Sequence, residues 1–363
     1  MKRHQTHPGV EEALARFVLP AKLGFGLVAA PVMFSADWSE GHWSAGELLP
    51  YGPIEILPGA RALHYAEVVF EGLKAYRVGT EWPNLFRPLE NCQRLARSAQ
   101  RLSMPVVPEE LFLEALDAMV GALAPVVPGK SGTSLYLRPF LFGTESGYQV
   151  RNSATFRFMV IANPVEIYSA GAMRVCIERA DVRAAVGGVG FAKAAANYAA
   201  SLRATTAAVA RGYTVALWLD AREQRYIQEL SGMNLFAVIA GQLHTPALDG
   251  AILPGITRDS LIKLARQRGY RVHERSMPID ELLQQIASGE CTEVFACGTA
   301  AIVSPISVLA EQDGVGHEPQ HVDAVAAELR EALLAIQERR APDTFGWTWD
   351  VAPQSEHSRT LRR

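Results

Sequence analysis

Between Pro164 and Gly171 a proline, polar residues and a glycine interrupt a chain that is densely patterned on both sides. Proline and glycine break helices and strand ladders, so such a stretch reads as the connection between separately packed bodies. At 363 residues the chain also exceeds the size at which a single hydrophobic core usually stops growing. The division expected is a smaller N-terminal domain over 1–163, a linker over 164–172 and a larger C-terminal domain over 173–363. A hydrophobic content of 49% is enough for large packed interiors.

Strand and helix signals alternate through both halves, which places the chain in the mixed α/β (α+β) class. In the first half, 64–77 predicts a buried strand pair around Glu71-Gly72, 85–88 a short strand, and 134–142 and 155–163 longer ones. Helices are predicted over 91–102, where Leu95, Ala99 and Leu102 share a face, and over 109–123, ending before Pro125. In the second half, 197–211 reads as a helix, 214–219 as a strand, and 226–230 with 233–240 as a hairpin turning at Ser231-Gly232. Leu253-Pro-Gly-Ile-Thr257 reads as a turn opening a helix capped by Thr257, whose N-terminus would attract an anion. A helix over 279–286, a strand over 292–297 and a last helix striped by Val322, Val325, Leu329, Leu333 and Ile336 complete the pattern.

A net charge of −3, with both signs mixed along the chain, argues against a nucleic-acid or anionic-membrane partner. The expected ligand is therefore small. Cys92, Cys176, Cys291 and Cys297 form no C-x-x-C and no zinc-like cluster, so they read as buried or incidental thiols of a reducing compartment, with no metal site. Residues 1–10 lack an apolar signal core, and no run approaches the ~18 apolar residues of a membrane span. A cytoplasmic protein is the expectation.

Lys193 carries the chemistry. It lies in VGGVGFAKAAANY (186–198), a glycine-rich turn running into an alanine-rich helix, with Tyr198 five positions on. From Gly187 to Ala200 no acidic side chain is available to hold it in a local surface ion pair. A lysine amine becomes nucleophilic where its charge is suppressed, and the commonest use of that is a Schiff base with an aldehyde. The competing reading is a solvated surface lysine. An aldehyde cofactor with a ring nitrogen also requires a carboxylate to keep that nitrogen protonated. Glu229, at the end of an apolar strand, is the candidate, and a turn-flanking surface glutamate is the alternative. A phosphate on the same cofactor would suit the turn Gly255-Ile256-Thr257 together with Arg94, although Arg94 could instead solvate its helix face.

Taken together these segments resemble the branched-chain aminotransferases, fold-type IV pyridoxal-phosphate enzymes. The resemblance runs from about Tyr51 to Pro305 through YGPIEILPGA, LHYAEVVFEGLKAYR, FRPLENCQRLARSAQRL, SLYLRPFL, GGVGFAKAAANYAASL, QELSGMNLF, ILPGITRDSL and TEVFACGTAAIVSP, in the family's order. It implies pyridoxal 5′-phosphate as cofactor, with Lys193 as the Schiff-base lysine, Glu229 facing the pyridine nitrogen and Tyr198 bonded to the ring's phenolic oxygen. Arg94, the amides of Ile256 and Thr257, and Thr299 would hold the phosphate. Tyr65, Phe70, Tyr136 and Arg138 would line the substrate pocket, with the turn Thr299-Ala300-Ala301 receiving the α-carboxylate. The implied reaction is a ping-pong amino transfer between leucine, isoleucine or valine and 2-oxoglutarate, catalysed by a homodimer.

Several positions depart from the family pattern. Ala195-Ala196 replaces the usual Gly-Gly, adding two Cβ atoms near the cofactor, and Leu230-Ser231-Gly232 replaces Val-Gly-Thr, removing a threonine hydroxyl for which Ser231 is the candidate substitute. Ala29 stands where relatives carry an aromatic residue, and Ala301 and Ser304 stand where some carry a redox C-x-x-C. The loop over 143–153 is short and polar for one that reaches a neighbouring subunit's pocket. A second reading is thus a specialised biosynthetic aminotransferase for a non-proteinogenic amino acid, and a third is a non-catalytic binding protein on the same fold.

Overall fold

The computed structural model describes residues 4–166, 171–320 and 324–351. Two compact units result, Met1–Tyr168 with Ile336–Arg363, and Ser169–Ala335. Phe156–Val165 is a continuous strand, so the interruption begins later than Pro164, and 167–170 of the expected linker lie outside the described residues.

In the first unit the described residues form a ten-stranded sheet. Its central strands, Val32–Ser39, Phe156–Val165 and Ser134–Gly143, pair antiparallel. Helix Glu109–Leu123 buries Phe112, Ala115, Leu116, Met119 and Leu123, a 3.6-residue stripe, with the Phe112 ring 6.0 Å from Phe158. Each such large side chain contributes about 1.5–3 kcal/mol on burial. The two strands predicted around Glu71-Gly72 exist as Val68–Phe70 and Leu73–Tyr76 but do not pair with each other. Both run antiparallel along Ser134–Gly143, at Val68↔Phe142 and Leu73↔Leu137, so Glu71-Gly72 is a step in one line of chain.

The end of the chain corrects the expected domain boundary. Thr348–Asp350 pairs antiparallel with Asn84–Phe86, and Trp347 packs edge-on against Phe86 at 5.7 Å. This segment, expected in the C-terminal half, belongs to the first unit, which is thereby the larger.

The second unit contains a nine-stranded sheet among the described residues, ordered Ile227–Leu230, Val215–Leu219, Met173–Glu178, Ile302–Ala310, Cys291–Gly298, Asn234–Ile239, Gln242–Pro246 and Val272–Arg275, with Gly316–His317 beside Ile302–Ala310. Ile177, Leu217, Leu235, Val294 and Leu309 from five of these strands meet Ile279, Leu282 and Ile286 of helix Ile279–Ser288 in one core. The predicted hairpin is only partly formed. Ile227–Leu230 ladders with Val215–Leu219, Asn234–Ile239 with its other neighbours, and a single Leu230↔Met233 bridge joins the two. Leu329, Leu333 and Ile336 of helix Ala324–Gln337 are buried as their stripe predicts, whereas Val322 lies outside the described residues. The start of that helix is capped from a strand: Val325 N and Ala326 N donate to the Glu293 carboxylate at 2.9 and 3.1 Å.

Candidate active site

Close backbone packing shapes the turn that carries Lys193. Gly187 has φ +84°, open to glycine at little cost, while a Cβ on Gly190 would overlap the Ala251 carbonyl and the Ala184 methyl. Helix Ala195–Ala210 follows without a side-chain cap, and Asn197 from its first turn fastens the glycine turn by donating to Val189 O and Ala192 O, both at 2.8 Å. This clamp was missed in the sequence; only the position of Asn197 one residue before Tyr198 hinted at it. Gly190→Ala is expected to cost about 1–3 kcal/mol of stability through overpacking, read by urea unfolding; an unchanged midpoint would show that the turn is loose.

The result of this packing is an amine held against a phenol. Lys193 Nζ donates to Tyr198 Oη at 2.8 Å. Both line an open pocket that also includes Arg183, Asn197, Glu229 and Ser231. Lys193 is half-buried in its wall.

Glu229 is only 4% exposed, so the alternative of a surface glutamate is excluded. Its Oε2 accepts from Asn234 Nδ2 at 3.1 Å and from Leu253 N at 3.2 Å, and its Oε1 is ion-paired with Arg183 at 3.1 Å. Burial nevertheless pushes its pKa up to about 7, with Arg183, the Leu253 amide and Lys193 pulling down and Asp249 adding a little upward. Arg183, which no local sequence pattern marks, donates to the Ala251 carbonyl as well. Its Nε is buried with no hydrogen-bond partner among the described residues.

Ser231 does not replace the missing threonine hydroxyl. Its Oγ accepts from Trp218 Nε1 at 2.9 Å and is bonded to Thr205 Oγ1 at 3.0 Å, so it is turned back into the protein. Gly232, with φ +82°, leaves open space where a Cβ would stand.

Ile256 and Thr257 open the helix Ile256–Gln267, whose N-cap is Gly255; Thr257 lies inside the first turn and makes no side-chain cap. The positive end of the helix dipole is there, as predicted. Thr299, Ala300 and Ala301 form the tight connection between Cys291–Gly298 and Ile302–Ala310, closed by the Gly298↔Ile302 pair. Ile302 sits at φ +62°, a conformation that a β-branched residue adopts at a cost of about 1–3 kcal/mol and that is concentrated at ligand-binding turns.

The remaining sequence candidates belong to the first unit. Arg94 is buried and does not solvate its helix face: Nε and Nη2 each donate to Glu71 at 2.7 Å. Phe70, Tyr136 and Arg138 are brought together. Arg138 Nη2 donates to Tyr136 Oη at 3.0 Å, its guanidinium lies 4.7 Å from the Phe70 ring centre, and its Nε is buried without a hydrogen-bond partner among the described residues. Phe25 packs edge-on to Tyr136 at 5.1 Å. Tyr65 is tied elsewhere, donating to Tyr148 O at 2.6 Å. All four cysteines are buried thiols, and no helix among the described residues is long and apolar enough to cross a membrane.

Comparison with known proteins agrees with this geometry. The family model for amino-transferase class IV matches residues 68–309. The branched-chain-amino-acid transaminase 1 of Bacillus subtilis is 43% identical over 338 residues, covering 92% of this chain and 95% of its own length. A probable branched-chain-amino-acid aminotransferase of Staphylococcus epidermidis is 44% identical over 340 residues, covering 91% and 94%. Among solved structures, a branched-chain aminotransferase from Thermoproteus uzoniensis with norvaline aligns at TM-score 0.73 and 27% identity, covering 87% of this chain and 99% of that one. The T.th. branched-chain amino acid aminotransferase complexed with N-(5′-phosphopyridoxyl)-L-glutamate aligns at 0.71 and 29%, covering 92% and 100%. With two sheets in a mixed α/β fold, a lysine, tyrosine and buried glutamate in one pocket, and relatives matched nearly end to end, this chain belongs to the branched-chain aminotransferase family of the class IV aminotransferases.

Proposed function

We propose that the protein moves the amino group between a branched-chain L-amino acid, leucine, isoleucine or valine, and 2-oxoglutarate, in two alternating half-reactions on pyridoxal 5′-phosphate. The observation that carries this reading is the placement of Lys193, Tyr198 and Glu229 in one pocket. The pocket suits that cofactor. Lys193 is the only lysine among its lining residues, and a carboxylate has about four lone-pair sites, of which Asn234, Leu253 and Arg183 engage three at Glu229. Capacity remains for one more donor, which a protonated ring nitrogen would supply.

When bound, the cofactor contributes an aldehyde that condenses with amines and a ring that accepts the electron pair left at the substrate Cα. The chain's own groups do the rest. Lys193 Nζ would tether the aldehyde and, once displaced by the substrate amine, carry the Cα proton as general base and then general acid. Tyr198 Oη, already bonded to that amine, would orient it and the ring's phenolic oxygen. Glu229 would hold a proton on the ring nitrogen, and its burial strengthens that interaction by excluding water. The amides of Ile256 and Thr257, with Thr299, would bind the phosphate. The turn Thr299-Ala300-Ala301 would take the α-carboxylate.

Arg138 would meet the distal carboxylate of glutamate and 2-oxoglutarate. Its buried Nε and its place over Phe70 give one guanidinium both a polar and an aromatic flank, so aliphatic and acidic side chains can use the same space. Arg138→Ala should therefore lower kcat/KM for 2-oxoglutarate about 10- to 100-fold more than for the leucine-derived 2-oxo acid. Equal losses would make Arg138 structural.

A homodimer is part of this proposal. The first unit leaves Leu57, Leu63, Tyr148 and Val150 exposed, the last two at 77% and 90%, and the bond from Tyr65 to Tyr148 O ties the two segments that carry them together. Light scattering should give twice the chain mass, and a monomer would contradict it.

The open space at Gly232 favours one second reading, a specialised aminotransferase for a bulkier, non-proteinogenic amino acid. A panel of amino donors against 2-oxoglutarate, with the cofactor absorbance followed, tests both. Leucine, isoleucine and valine should be the fastest donors. Failure of all three alongside turnover of a bulkier donor would favour the second reading.

A further inference from the structure

Asn234 lies buried at the head of strand Asn234–Ile239, where its amide joins Glu229 to Leu253, two residues that stand 24 positions apart in the chain. Its Nδ2 donates to Glu229 Oε2 at 3.1 Å and to Leu253 O at 3.1 Å, while Leu253 N donates to the same Glu229 oxygen at 3.2 Å. Asn234, Glu229 and Leu253 thus close a three-member ring of hydrogen bonds. Two residues beyond Leu253, Gly255 forms the N-cap of helix Ile256–Gln267 and passes so close to Asn234 that a Cβ on Gly255 would overlap Asn234 Oδ1. The Gly255 φ of −69° is open to any residue, so this glycine answers to packing against Asn234 and not to backbone conformation.

We propose that Asn234 is a positioning residue that sets the spacing between the Glu229 carboxylate and the first turn of that helix, so that the ring nitrogen and the phosphate of one rigid ligand are met together. The inference rests on the cofactor reading above. Charge-assisted hydrogen bonds weaken steeply with misplacement, and a ligand with a planar ring and a short phosphate arm cannot stretch to follow a shifted site. A buried amide bonded to both features removes that freedom from the protein beforehand. The other charged groups facing Glu229 are Arg183, Lys193 and Asp249. Arg183 and Asp249 both hold the Ala251 segment and Lys193 bonds Tyr198, whereas Asn234 is the side chain that joins Glu229 to Leu253 O and abuts Gly255.

The test compares the affinity of the apoprotein for pyridoxal 5′-phosphate with that for pyridoxal, which lacks the phosphate, by calorimetry. Wild-type protein should strongly prefer the phosphorylated ligand. Asn234→Ala should reduce that preference by about tenfold or more, because a ligand that uses only one end does not need the spacing. Gly255→Ala should produce the same loss by pushing the Asn234 amide from the turn's side, with the Arg183 and Leu253 contacts of Glu229 left in place, and it carries the comparison should Asn234→Ala fail to fold. A merely structural asparagine would weaken both ligands equally, and that result, or an unchanged preference in folded variants, overturns the proposal. A wild-type protein that binds the two ligands equally would instead overturn the cofactor reading beneath it.

Discussion

Replacing Lys193 with alanine is expected to leave a folded protein whose transamination with leucine and 2-oxoglutarate falls by roughly four orders of magnitude or more. The fold should survive because the lysine side chain packs into no core: it lines an open pocket, and the turn beneath it is held by Asn197, whose two bonds go to backbone carbonyls. Activity should not survive because one amine is assigned both the covalent hold on the cofactor and the proton transfer at Cα. Tyr198 cannot substitute, since a phenol forms no imine. Steady-state rates checked against near-ultraviolet circular dichroism decide the matter, and a folded variant with near-normal turnover would remove Lys193 from the mechanism.

Glu229→Gln should lower kcat by about 100- to 1,000-fold while weakening cofactor binding much less, since the charge across the ring acts mainly as electrons move into it. Comparable losses in both would give Glu229 a structural role. The same substitution has a signature in the apoprotein. Burial raises the folded-state pKa of Glu229 from 4.5 to about 7, so between those values the folded chain binds more protons than the unfolded one. Its contribution to stability is therefore fully present below about pH 4.5 and is lost as pH rises through about 7. A tenfold change in proton affinity corresponds to about 1.4 kcal/mol, so ionising Glu229 costs a few kcal/mol that glutamine does not incur. Urea unfolding of the two apoproteins should accordingly show the glutamine variant gaining relative stability between about pH 5 and pH 8. A pH-independent difference would mean that Glu229 titrates normally.

These expectations draw on features that differed in how far local sequence could reveal them. Lys193 and Tyr198 were legible because they share one short segment, where a lysine two residues before a helix start meets a first-turn tyrosine. Helix Glu109–Leu123 and the buried strands followed from apolar periodicity. Arg183 was not legible, because its partners Glu229 and Ala251 lie 46 and 68 positions away and a polar contact across that distance imposes no period. Local alternation likewise identifies a strand without naming its neighbour. That is why Ile227–Leu230 and Asn234–Ile239 read as a hairpin, though their ladders run elsewhere in the sheet. Val272–Arg275, a short polar strand at the sheet's edge, carries no apolar run to betray it. Threonine suits a helix cap, which makes Thr257 the local choice, yet the chain turns at Gly255, where close approach to Asn234 leaves no room for a side chain.

The most direct test is to locate the covalent bond. Protein saturated with pyridoxal 5′-phosphate would be reduced with borohydride, digested, and mapped by mass spectrometry across the six lysines of the chain. Among them Lys74 is buried in the first unit's core and Lys263 is paired with Asp259 on an exposed helix face. The account predicts one phosphopyridoxyl group per chain, on Lys193. A stoichiometric adduct on any other lysine, or none after saturation, would contradict it.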